Sequence, residues 1–344
     1  MLFIHCFYLC LCFFLINSQN TGKYRKSPLP LLRNLPLVVS INRPKLSRCA
    51  LWNPNGTTFA NSSIIGSNPG TVFVNINGTI HVTDRTSNRV QIWHNSSTNV
   101  TRTLTDDLVD PLGLIVSSNG DIYVDNGYIN NQINKWTKNS TRSSIVTYFA
   151  GGRCYGLFID ENNTLYCSLN IHKVIKISLK IRGNMTETVA GTGTVGNTPN
   201  TLNWPRGIFV DINFDLYVAD GNNNRIQKFL YGQTNGITVV GSGSTTSTFT
   251  LNGPSAILLD TDGYLFLVDQ NNHRIIGSNA DGYKCLVGCS GLAGSTASQL
   301  KNPYSMSFDN YGNIYVTDKD NGRVQMFTLT KNSCGKFYQI SSFT

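Results

Sequence analysis

The sequence predicts an all-β protein assembled from six copies of one strand module. Two observations carry this: a unit of two apolar runs and one alternating run set between Gly-rich and Asn-rich turns, and an anchor residue that returns at near-constant spacing. Long helical periodicity is not visible anywhere. The clearest copy is Leu202 to Phe229. Ile208 to Val210 form an apolar run, Asp211 to Phe214 a turn, Leu216 to Ala219 a second run, and Arg225 to Phe229 alternate as a third.

The anchors are Pro69, Pro111, Pro205, Pro254 and Pro303, with Cys154 in the same slot of the third copy. Successive positions differ by 42, 43, 51, 49 and 49 residues. Periods of this size indicate a solenoid, a propeller or an array. Two further columns hold the register: Asp84, Asp220, Asp269 and Asp318 end the second run, and Arg89, Arg225, Arg274 and Arg323 stand five residues later. Copies two and three carry Asn126 with Gln132 and Ser168 with Lys173 instead, and are expected to lack the charged pair. A pair repeated in four copies reads as a structural tie between adjacent strands, because a catalytic constellation has no reason to recur.

The copies NPGTVFVNINGTIHVTDRTSNRVQIW, WPRGIFVDINFDLYVADGNNNRIQKF, GPSAILLDTDGYLFLVDQNNHRIIGS and NPYSMSFDNYGNIYVTDKDNGRVQMF, with weaker ones beginning at Asp110 and Arg153, resemble the NHL-repeat family from about Thr57 to Phe327. The resemblance implies a six-bladed β-propeller of four-stranded antiparallel blades, in keeping with the spacing. Such a ring must be closed. The last copy supplies three strands, so the unpartnered run Thr57 to Ala60 is expected to become its fourth, an N-terminal strand closing the ring.

At 344 residues, 40% hydrophobic and 14% charged, the composition suits one large domain. Leu2 to Ile16 are almost wholly apolar, too short for a bilayer span and suited to a secretory signal, which assigns residues 1–19 to a signal peptide and leaves no transmembrane segment after cleavage. Residues 20–48 read as a basic flexible linker holding Lys23, Arg25, Lys26, Arg33, Arg43, Lys45 and Arg48 and no acidic residue. These seven charges leave only +2 of the +9 total for the rest of the chain. The charges are spread between prolines, which favours a solvated linker over a polybasic patch. The propeller is assigned to 49–334 and a C-terminal tail to 335–344.

Cys6, Cys10 and Cys12 fall in the signal, and an even set remains: Cys49, Cys154, Cys167, Cys285, Cys289 and Cys334. In a secreted chain these suggest disulfides. Cys334 follows the last third strand and Cys49 precedes the closing strand, so a bond there would clasp the seam, stabilising by about 2 to 5 kcal/mol. Cys154 and Cys167 flank one hairpin. Cys285 and Cys289 would span about 13 Å if extended, against a limit of roughly 7 Å, so their bond needs a bend at Gly288.

Some propellers resembling this family are zinc lyases that complete peptide amidation, and others are RNA-binding or substrate-binding ends of RING ligases. His81, His94, His172 and His273 occupy scattered slots and no paired CxxC set occurs, so no catalytic, cofactor or metal residue is assigned. The loops between second and third strands are Asn-rich and near neutral, which disfavours nucleic acid. Sequons at Asn55, Asn61, Asn77, Asn95, Asn99, Asn139, Asn162 and Asn184 are usable on the secretory route. By the strand assignment all but Asn61 fall on the face where first and third hairpins open. The expectation is a secreted, extracellular, monomeric glycoprotein that binds a protein or glycan on the other face without catalysis. The alternative is a metal-dependent lyase or hydrolase of the amidating-lyase type.

Overall fold

The computed structural model describes residues 40–94, 97–149, 152–180 and 186–334. The expected signal peptide, residues 20–39, Asn95, Asn184 and the expected tail, residues 335–344, lie outside the described residues. Six four-stranded antiparallel blades follow one another along the chain. Blade 4 is representative, with strands Pro205–Val210, Leu216–Asp220, Arg225–Phe229 and Ile237–Gly241 paired in sequence order. The first strands of neighbouring blades touch one another and so line the centre of the ring.

The apolar period of two explains the core. Val82, Val124, Val218 and Val316 hold one position of the second strands in four blades and are fully buried, each removed from water by about 1.5 to 3 kcal/mol. β-branched side chains suit such a surface because their restricted rotamers lose little on packing. Turns take residues that tolerate positive φ: Asn88, Asn131, His172, Asn224, His273 and Gly322 each end the loop after a second strand in the left-handed region.

Thr57–Ala60 pairs with Arg323–Phe327, Thr57 facing Met326 and Ala60 facing Val324, so an N-terminal strand closes the ring as the sequence predicts. Cys49 and Cys334 are bonded with their Cα atoms 5.2 Å apart. A ribbon that the sequence does not announce, Leu51–Trp52 against Leu329–Lys331, lies between that bond and the closing strand.

Topology gives the ring two unlike faces. First and third hairpins open on what is called here the hairpin face; loops between second and third strands, and those between blades, open on the loop face. The sequence starts the domain at Cys49, but the described chain already packs on the blades from Ser40, whose neighbours Ile41, Asn42 and Leu46 are buried.

Candidate functional site

Residues 40–44 cross the hairpin face and close the central channel there. Ile41 bridges to Asn75 in the first hairpin of blade 1 and lines the channel cavity beside Phe73, Phe158 and Phe209. Asn42 Nδ2 donates to the carbonyls of Val74, Asn75 and Phe308, all at 3.0 Å, joining blades 1 and 6 across the seam. Ser40 donates to the Val116 carbonyl in blade 2. Arg43 donates to the Asp260 carbonyl in blade 5 at 2.8 Å and lies over the Phe209 ring of blade 4 at 5.7 Å. One short segment thus reaches five blades, adding hydrogen bonds to carbonyls at the end of the channel, two of which, Asn75 and Asp260, also accept an N–H within their own turns.

The loop-face mouth is built from the residue after each anchor: Gly70, Leu112, Tyr155, Arg206, Ser255 and Tyr304. Tyr304 of blade 6 reaches across to the carbonyl of Tyr155 in blade 3, a long bond of 3.4 Å. Between Ile41 and these tyrosines lies a cavity of about 80 Å³. Burial pushes the Tyr304 hydroxyl up to about 12, against the pull of Arg206, Arg153 and Arg85. Tyr304 is therefore a neutral donor at any physiological pH.

Around this mouth an aromatic and arginine arc runs across blades 2 to 4. Arg153 is fully buried between Asp125 and Asp110, both at 2.6 Å, and Asp110 also takes Arg85 at 2.7 Å. Burial works against the Arg153 charge, and the two carboxylates more than reverse it. The guanidinium lies 4.8 Å from the Tyr128 ring and 5.8 Å from the Tyr155 ring, and the two hydroxyls hydrogen-bond to each other. Trp204 leans on Tyr155 at 5.9 Å and on His172 at 6.0 Å. Burial and the Tyr128 hydrogen bond raise the Tyr155 hydroxyl.

Blade 2 lacks the repeated Asp–Arg pair, as the sequence predicts, yet it is not without charge: Asp125 stands one residue before the column and takes Arg153 from the start of blade 3. Sequence reading missed this because the arginine comes from the neighbouring copy. The loop of this blade is a short helix, Gly127–Asn130, that leaves Tyr128 45% and Ile129 79% exposed, where the helical turns of blades 4 and 5 carry Asn222 with Asn223 and Asn271 with Asn272.

The repeated pairs sit at the loop-face end of each second strand. Asp84–Arg89, Asp220–Arg225, Asp269–Arg274 and Asp318–Arg323 are 2.7 to 2.8 Å apart with fully buried carboxylates. The other oxygen of Asp220, Asp269 and Asp318 accepts a backbone N–H from the incoming loop, as from Asn203 at 2.7 Å. Arg225 donates to the carbonyls of Asn197, Thr198 and Thr201. Every contact is structural. Cys154–Cys167 and Cys285–Cys289 are bonded, the latter with Cα atoms 5.6 Å apart and Gly288 at φ +71°.

The described histidines do not converge. His81 is buried against Phe73, and His94 Nδ1 lies 3.3 Å from the Thr79 hydroxyl. His172 and His273 each accept, through Nδ1, the backbone N–H of the next blade: Trp204 at 3.1 Å and Asn302 at 3.2 Å. Asn88 and Asn224 do the same in their blades through Oδ1, to Asp110 and Gly253 at 2.8 Å. Among the described residues no three metal-ligating side chains cluster. Of the described sequons Asn55, Asn77, Asn99, Asn139 and Asn162 are on hairpin-face turns, Asn61 caps a turn on the loop face, and all are exposed.

No family model matches the chain, and no curated protein does. Solved structures resemble it in fold. A streptogramin B lyase shares 18% identity over 80% of this chain and 97% of its own, with a TM-score of 0.56. A gluconolactonase from Xanthomonas campestris shares 14% over 87% and 99%, with a TM-score of 0.59. A chain of a nidogen–laminin complex shares 16% over 72% and 97%, with a TM-score of 0.52. At these identities the likeness defines the class, a six-bladed propeller.

Proposed function

We propose that the protein is a secreted, glycosylated propeller that binds an extracellular protein or glycan on its loop face, without catalysis. The observation that carries this is the contrast between the faces. The hairpin face is crossed by residues 40–44 and bears five of the six described sequons, whereas the loop face presents exposed Tyr128 and Ile129 beside Trp204 and Arg206. Three disulfides are consistent with an oxidising compartment.

The test is a pull-down from extracellular fluid with the intact glycoprotein and with Y128N/I129N, which gives blade 2 the polar loop of its sisters. Loss of a specific partner with an unchanged melting temperature supports the reading; equal capture by both proteins overturns it. Glycopeptide mapping adds a second check, since sugars divided evenly between the faces would remove half of the argument.

A metal-dependent lyase or hydrolase is the second reading, favoured by the lyase and lactonase folds the chain resembles. Against it, two of the three arginines at the mouth, Arg85 and Arg153, are tied to carboxylates, and among the described residues no histidines converge there. Stoichiometric zinc or calcium in the purified protein would favour the enzyme.

A further inference from the structure

We infer that the loop-face arc is a peptide-docking site, in which the Tyr128, Tyr155 and Trp204 rings hold an aliphatic or proline side chain of a partner protein and Arg206 takes an adjacent carboxylate. This rests on the binding reading above and names the ligand chemistry for it.

The strained backbone of Trp204 is the first observation. The position before the anchor is left-handed in four blades, occupied by Asp110, Gly253, Asn302 and Trp204, with Trp204 at φ +59°. Asp, Asn and Gly adopt that region at little cost, and a bulky aromatic does not. The fold asks here for a small turn residue, and its sisters supply one. Strain of this kind persists where the surroundings enforce it, here through the His172 acceptor on the Trp204 N–H. The side chain so placed packs on Tyr155 and remains part-exposed.

Charge is the second. Arg85, Arg153 and Arg206 supply three cations at the mouth, and Asp110 and Asp125 supply two carboxylates, both engaged by Arg85 and Arg153. Arg206 meets only neutral acceptors, the Gln270 side chain and the Gly253 carbonyl. A part-exposed guanidinium in that state can take a carboxylate in a charge-assisted pair. Preorganisation is the third: Tyr128 is held by its hydroxyl bond to Tyr155 and by buried Arg153 beneath its ring, so little side-chain freedom remains to be lost on binding. Rigid aromatic and arginine anchors are what dominate binding energy in protein interfaces. Exposed Ile129 beside them favours a protein segment over a sugar, because an aliphatic tip offers a glycan nothing to hydrogen-bond.

The probe is a phage-displayed library of random linear peptides, panned on the intact glycoprotein and counter-selected on W204N. Enriched sequences should pair Asp or Glu with Pro or an aliphatic residue. Synthetic versions should bind about tenfold more weakly to W204N and to R206Q, and replacing the peptide carboxylate by its amide should weaken binding to wild type but not further to R206Q. W204N installs the residue that Asn302 already places in this conformation, so a fall in binding without a fall in melting temperature separates recognition from folding. Enriched peptides without acidic residues, or equal binding to W204N, would overturn the proposal. An extracellular partner that is lost with Y128N/I129N yet captured equally by R206Q would overturn the carboxylate while leaving the loop-face reading in place. A partner whose capture is abolished by periodate treatment would assign the arc to a glycan instead.

Discussion

His81 fills the second-strand slot that Tyr123, Tyr166, Tyr217 and Tyr315 fill in other blades and Phe266 fills in blade 5. Burial lowers its pKa from 6.5 to about 3, and its Nδ1 has no partner. The folded state therefore binds fewer protons than the unfolded chain between those values, and stability rises with pH across that window and falls as pH drops through it. Replacing His81 by Phe, tolerated at Phe266, should flatten the stability profile from pH 6.5 to pH 3 in denaturant titrations; an unchanged slope would place the titrating group elsewhere. Phe266 poses the converse case. In blades 3 and 4 a tyrosine hydroxyl donates to the hairpin aspartate, Tyr166 to Asp160 at 3.1 Å and Tyr217 to Asp211 at 3.4 Å. In blade 5 the hydroxyl is missing, Asp260 Oδ2 is unpartnered, and burial raises its pKa. A cavity of about 10 Å³ lies between Asp260, Phe266 and Trp52, room for the absent oxygen. F266Y should stabilise by about 1 kcal/mol in urea unfolding; a loss would mean that the hydroxyl meets Trp52 instead.

At the scale of the element, the unit that repeats is the strand hairpin plus a latch to the next blade. Asn88, His172, Asn224 and His273 share one left-handed slot and one job, accepting the N–H of the residue before the next anchor. H172N and H273N should then leave the melting temperature nearly unchanged, while H172A should cost about 1 kcal/mol by leaving the Trp204 N–H unpaired. The strands were legible because each copy states the same alternation six times, and the closing strand because the last copy was one strand short. The latch was not, since Asn and His look unrelated until their backbone positions coincide. Arg153 escaped for a different reason: it stands before its own anchor yet serves the carboxylate of the preceding blade, so no column within a single copy can reveal it. The arc is visible afterwards as two adjacent columns, Trp204 and Arg153 before the anchor and Tyr155, Arg206 and Tyr304 after it.

The whole ring has one seam, and the devices that hold it include the closing strand, the Cys49–Cys334 bond, and the bonds of Asn42 to blades 1 and 6. They act on different states. The disulfide chiefly restricts the unfolded chain, so C49S/C334S should cost about 2 to 5 kcal/mol and leave the native channel unaltered. Residues 40–48 act only on the native state. A chain beginning at Cys49 keeps the strand and the disulfide but loses Ile41, which should open the apolar channel at the hairpin face. The expected outcome is a lower melting temperature together with stronger binding of an apolar dye than the wild type shows, while capture of ligands on the loop face persists. Tyr304 closes the other end, so solvent admitted past Ile41 would stop beneath the arc, and the aromatic platform would keep its geometry. A truncated protein that loses loop-face binding as well would show that the segment supports the arc through the channel and does not merely plug it.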